Sequence, residues 1–227
     1  MLYTIYDIET NGLSRHSDVC QFAYITFDNQ LQLVESGQLY FYYDGMQMPS
    51  DAQKVHGLSL DFLRQFKGDF EENLKKMYRI LHLSIAVGYN SKSFDTPICK
   101  NFIKRFLGED IFPIQEIDMM QLLKKKYGHS LKLVNASSSE GLTPNYINMM
   151  NNIYFKKEAQ AHDATYDTTA TALLFLSNRA LWDEVHKPKP ILSERVHLED
   201  DEESGMKVSP VSAPANKIIL SKNGIQI

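Results

Sequence analysis

The stretch Met1-Leu-Tyr-Thr-Ile-Tyr-Asp7-Ile-Glu9 decides how this chain is read. An apolar run rich in aromatic and β-branched residues predicts a strand, and a strand sends residues i and i+2 to the same face. Asp7 and Glu9 therefore project together. Two carboxylates held side by side repel each other and lose hydration, and a divalent cation between them relieves both penalties. The pair marks a candidate cation site on a buried strand. Taken alone, Asp-x-Glu arises by chance in many soluble chains, so its meaning depends on what the rest of the chain brings to it.

The 227 residues, 43% apolar, suffice for one ordinary core and predict one α/β domain with a tail. Acidic residues within the first ten positions exclude a secretory apolar region, and no uninterrupted apolar stretch approaches membrane-spanning length. The expectation is a soluble cytoplasmic protein with no membrane association. Cys20 and Cys99 lack CxxC spacing and predict packed thiols rather than a disulfide or zinc site.

Val19 to Phe27 and Leu31 to Tyr43 predict two further strands, with Asp28-Asn29-Gln30 as the turn of an antiparallel meander. Phe70, Leu74, Met77, Tyr78 and Leu81 recur at helical spacing behind Asp69, read as an N-cap, and Ile85 to Tyr89 predicts a short buried strand. Phe94 to Leu107 predicts a helix ended by Gly108, and Ile114 to Asp118 a fifth strand leading into a helix through Tyr127. A short helix is expected from Leu131. Asn145 to Asn152 has no assignment. Asp163 to Leu181 predicts a helix whose small face (Ala164, Thr168, Thr169, Ala170, Thr171, Ala172) suits close approach to a sheet. Lys187-Pro-Lys-Pro190 cannot continue a helix. The expected domains are 1–186, a flexible linker over 187–216, and a strand or hairpin docking peptide over 217–227 around Asn223-Gly224.

Two further elements join the carboxylate pair. Val87-Gly-Tyr-Asn-Ser-Lys-Ser-Phe-Asp95 ends a strand in a polar loop and opens a helix with Asp95, and His162-Asp-Ala-Thr-Tyr-Asp167 sets a histidine and a carboxylate at the start of the last long helix. Each has a plain structural reading, Asp95 as a first-turn acid and His162 as a capping or surface residue. Four separated carboxylates and a histidine, each at a strand end or helix start, form an order that chance rarely supplies.

On Asp7-Ile-Glu-Thr-Asn-Gly-Leu13, Val55-His-Gly-Leu-Ser59, Asn90-Ser-Lys-Ser-Phe-Asp95 and His162-Asp-Ala-Thr-Tyr-Asp167, residues 1–182 resemble the DEDDh 3′-5′ exonucleases, DNA polymerase III epsilon-like and ribonuclease T-like. The resemblance implies a ribonuclease H-like mixed five-stranded sheet flanked by helices. It further implies that Asp7, Glu9, Asp95 and Asp167 hold two Mg²⁺ or Mn²⁺ ions, with His162 as general base. The five-residue step from His162 to Asp167 fits the histidine subtype, since the tyrosine subtype wants Tyr at position 163, which is Asp. Substrate contacts carried over by the resemblance are Thr10, Asn11, Gly12, Leu13, His56 and Gly57, with Phe94 as an apolar surface. Many relatives carry a second threonine where this chain has Asn11. Lys124-Lys-Lys126 reads as a solvated helix end.

A formal charge of −4 is unlike a general DNA-binding domain. Residues 191–227 hold six acids against four bases, leaving 22 of the 28 acids and 20 of the 24 bases in the body. An enzyme gripping only a strand end needs fewer phosphate contacts than one wrapping duplex. The expected function is metal-dependent 3′-5′ release of nucleoside 5′-monophosphates from single-stranded or frayed DNA ends, in proofreading or repair. The alternatives are RNA trimming of the ribonuclease T type, and a nuclease-fold module tethered to a polymerase or replication protein through the C-terminal tail.

Overall fold

The computed structural model describes residues 1–185. The expected linker over 187–216 and docking peptide over 217–227 lie outside the described residues. Within them the chain runs β1 (Tyr3–Thr10), β2 (Val19–Phe27), β3 (Leu33–Tyr40), α1 (Ser50–His56), α2 (Leu60–Leu63), a 3₁₀ turn (Arg64–Asp69) and α3 (Phe70–His82). It continues through β4 (Ile85–Gly88), α4 (Asp95–Leu107), β5 (Gln115–Asp118), α5 (Met119–Tyr127), α6 (Leu133–Ser139), α7 (Pro144–Phe155), α8 (Ala164–Ser177) and α9 (Arg179–Val185).

The five strands form one mixed sheet in the order β3-β2-β1-β4-β5. β1, β2 and β3 make the antiparallel meander, and β4 and β5 run parallel to β1. Alternation sorts the two faces. Tyr6 and Ile8 of β1 join Phe22, Tyr24 and Ala86 in a core closed by α3 and α4. Ile5 joins Ile25, Val87 and Ile117 in the opposite core, closed by α5 and α8. By the same parity Asp7 and Glu9 belong to the α8 face, beyond the point where apolar packing stops. The small residues of α8 are buried, and Thr168 Oγ1 donates to the Ala23 carbonyl at 3.3 Å, which brings this helix directly onto the sheet.

Several element boundaries differ from the sequence expectation. β3 starts at Leu33, because the Asp28 carboxylate accepts the Gln30 and Gln32 amides and Leu31 takes a left-handed φ of 62°, extending the turn. Asp69 precedes α3 without capping it: the 3₁₀ turn already runs into the helix, so Asp69 sits at φ −94°, ψ −2° and its side chain caps no amide. The short helix starts at Leu133, not Leu131, whose carbonyl accepts the Tyr89 hydroxyl at 2.8 Å. The unassigned Asn145 to Asn152 lies in α7, started by Thr143 as N-cap and Pro144. The expected helix to Leu181 breaks at Asn178, whose side chain donates to the Leu174 carbonyl and accepts from Lys126. Cys20 and Cys99 are both buried free thiols. None of the described helices is long and apolar enough to cross a membrane.

Candidate active site

The site end of the sheet is where β1 and β4 terminate and α4 and α8 begin. Carboxylate oxygens of Asp7, Glu9 and Asp167 lie within 4.8 Å of one another. β1 supplies the first two, and the first turn of α8 the third. Asp95 opens α4 and is 5% exposed. It stands outside that tight trio, but its charge is the strongest after burial in pushing up the Asp7 carboxyl, and the Ile8 backbone N–H draws on its own. α4 is tied to β1 by a 2.7 Å hydrogen bond between Tyr6 and Thr96.

This crowding leaves the carboxylates hard to ionise. Burial first, then Asp95, Asp167, Glu9 and Asp163, raises Asp7 well above the carboxylate range. Burial with Asp167, Asp163 and Asp95 pushes Glu9 up to about 9. Asp95 rises to about 7 through burial, against the pull of backbone N–H groups. Asp167 rises to about 6, again through burial, opposed by the His162 N–H and imidazole. An all-oxygen set whose members repel one another is the donor chemistry of a hard divalent cation, and the residues present fit one.

A pH dependence follows, with a defined sign. Carboxyls with raised folded values keep protons that the unfolded chain has released, so the metal-free protein loses stability as pH climbs from about 4 toward the folded values. Protons also compete with metal for the same oxygens. Half-saturating Mg²⁺ or Mn²⁺ is therefore expected to fall as pH rises from 6 to 9, and the metal-induced gain in melting temperature to grow. Titrations by thermal melting at fixed ionic strength check both.

Beside the carboxylates runs a cleft of about 510 Å³. One wall is Thr10, Asn11, Gly12 and Leu13, and the other is Pro49, Asp51, Ala52, Val55 and His56, with Glu9, Phe94 and His162 completing the lining. Leu13 is 87% exposed, an apolar side chain offered to solvent. Phe94 lines the cleft and also packs against the core beside α4. Gly57 does not line the cleft; it closes α1 in the left-handed conformation and donates to the Gln53 carbonyl. His56 Nδ1 accepts the Leu58 amide, and burial lowers the imidazole's pKa against the pull of the Thr10 backbone. His162 is exposed, at φ 68°, with its backbone N–H on Asp167 Oδ2 at 3.2 Å.

The sequence profile of an exonuclease family, RNase_T, matches residues 4–175. The chain belongs to this exonuclease family. The exonuclease is also similar to solved structures: E. coli exonuclease I with a dA16 oligonucleotide (19% identity, 82% of this chain, 43% of that one, TM-score 0.65). Exonuclease I from Methylocaldum szegediense is comparable (20% identity, 81% and 42%, TM-score 0.64), as is a zinc-bound E. coli exonuclease I complex with single-stranded DNA (20% identity, 82% and 43%, TM-score 0.60). These likenesses show a shared ribonuclease H-like fold, and the chain spans less than half the length of each. No curated protein matches it in sequence.

Two carboxylates of the exonuclease carry more than the sequence disclosed. Asp118, 2% exposed at the end of β5, accepts the Met120 and Gln121 amides that open α5. It also accepts the Asn90 amide at 3.0 Å and the Lys92 amide at 3.4 Å, and so pins the loop that delivers Phe94 and Asp95. Ahead of that loop, a Cβ at Gly88 would lie 2.4 Å from Ser91 Cβ, so the turn needs glycine. Asp163 caps α8 through the Thr165 amide and hydroxyl, and Lys157 Nζ meets its other oxygen at 2.7 Å. Burial raises Asp163, but the Lys157 and Thr165 hydrogen bonds outweigh it and hold the carboxyl low. A cap signal at Asp163 was legible in Asp-Ala-Thr; the Lys157 partner, six residues back, was not.

Proposed function

We propose that this chain is a divalent-metal-dependent 3′-5′ exonuclease that releases nucleoside 5′-monophosphates from single-stranded or frayed DNA ends. The observation that carries the reading is the convergence of Asp7, Glu9 and Asp167 within 4.8 Å beside an apolar, open cleft. Asp7, Glu9, Asp95 and Asp167 would hold two Mg²⁺ or Mn²⁺ ions. Such a pair, when bound, lowers the pKa of an attacking water and stabilises the departing 3′ oxygen.

The chain's own residues supply the remaining parts. Leu13 and Phe94 give terminal bases an apolar surface, and neither lysine nor arginine is among the residues lining the cleft, which suits a grip on the end of a strand rather than its length. His162, beside Glu9 in the lining and bonded by its backbone to Asp167, accepts the proton of the attacking water. DNA is favoured because the similar exonuclease I structures hold dA16 and other single-stranded DNA. A tie to a polymerase or replication protein through residues 191–227 lies outside the described residues.

Digestion of 5′-labelled single-stranded DNA and RNA of one sequence, with Mg²⁺, Mn²⁺ or EDTA, tests the reading. The expected result is a ladder shortening from the 3′ end of DNA, absent in EDTA. Preferential RNA shortening would move the substrate to RNA, and two intact polymers in both metals would sink the reading.

A further inference from the structure

Asn11 lies in the wall of the cleft, yet its side-chain amide is spent within the protein. Nδ2 donates to Asp18 Oδ2 at 2.8 Å and to the Gln47 carbonyl at 2.9 Å, and Oδ1 accepts the Asp18 amide at 2.7 Å. Both N–H groups are used, so little remains for a substrate. The backbone repeats the pairing, with the Asn11 amide on the Asp18 carbonyl at 3.1 Å. Asp18 is 6% exposed and a junction: Tyr43 donates to Oδ2 at 3.1 Å and the Arg105 guanidinium of α4 meets Oδ1. Arg105 also reaches the His16 carbonyl, and Asn101 the Arg15 carbonyl at 2.9 Å.

These contacts have a spatial logic. The loop after β1, which carries Gly12 and Leu13, is closed at its neck by the Asn11–Asp18 pair and fastened to α4 by Arg105 and Asn101. Gln47 belongs to the segment entering Pro49 and α1, the opposite wall. A single nitrogen, Asn11 Nδ2, thus bonds one wall to the other. A threonine, with one hydroxyl donor, could not bond Asp18 and Gln47 together.

We propose that Asn11, held by Asp18 and Arg105, is a positioning residue that sets the separation of the two cleft walls and so the grip on the polynucleotide end. The inference rests on the exonuclease reading above and deepens it. Asn11→Ala is expected to raise KM for a single-stranded oligonucleotide about tenfold and leave kcat within about twofold, because the carboxylates and His162 are untouched. Asn11→Thr retains one donor, and is expected to fold and to shift KM the same way if Asn11→Ala does not fold. A purely structural role would instead lower the active fraction, reducing kcat at constant KM. A KM within twofold of wild type in a folded variant, or a fall in kcat alone, overturns the proposal. Should wild type cleave nothing, the exonuclease reading fails, and equilibrium binding of the same oligonucleotide by wild type and variants decides the positioning role, equal affinities overturning it.

Discussion

Asp7→Asn is expected to slow hydrolysis by about a thousandfold or more, since several kcal/mol of metal assistance would go with it, while raising the melting temperature of the metal-free protein. Asp7 stands within 4.8 Å of both Glu9 and Asp167, and it is pushed up by burial and by four neighbouring carboxyls. In the metal-free state its charge serves nothing in the fold and opposes it. Asparagine keeps the volume and removes the repulsion, whereas alanine would add a cavity and blur the comparison. The gain should be larger at pH 8 than at pH 5, because the unfolded chain has released the Asp7 proton that the crowded native site keeps, a cost that grows with pH up to the raised folded value. Turnover in Mg²⁺ and melting in EDTA measure the two effects. A variant that loses both activity and melting temperature would show that the Asp7 carboxylate supports the fold rather than burdening it.

His162→Asn is expected to lower kcat by a factor of about 10² to 10⁴, the usual contribution of a positioned acid or base, with half-saturating metal unchanged. The choice of asparagine follows from the backbone. His162 sits at φ 68°, a left-handed conformation that asparagine tolerates better than most residues, and its N–H must stay on Asp167 Oδ2. Alanine there would mix backbone strain into the result. Steady-state kinetics at saturating Mg²⁺ separate the cases: a kcat within threefold of wild type removes His162 from the proton transfer, and a higher metal requirement would point to displacement of Asp167.

What was legible in the sequence was set by local periodicity. Strand parity alone puts Asp7 and Glu9 on one face, and Val19 to Phe27 announces β2 through its aromatic and β-branched content. The small face of α8 foretells its close approach to the sheet. α7 was missed because apolar and asparagine residues alternate without a single buried stripe; only Ile147 and Asn151 are buried, although Thr143-Pro144 is a helix-start signal. Asp118 escaped notice as a loop anchor because its partners Asn90 and Lys92 are 28 and 26 residues away. Asn11 was carried over as a substrate contact by the resemblance, and only three-dimensional pairing with Asp18 and Gln47 shows where its amide goes. Gly57 followed the same carry-over, but its place is the end of α1.

The proposed function requires four carboxylates from β1, α4 and α8 to hold a pair of divalent ions beside the cleft. Anomalous diffraction from crystals grown with Mn²⁺ and a nucleoside 5′-monophosphate tests it most directly. Two manganese peaks are expected among the carboxylates of Asp7, Glu9, Asp95 and Asp167. Crystals of active protein with no manganese peak at these residues, or with manganese bound only elsewhere, would contradict it.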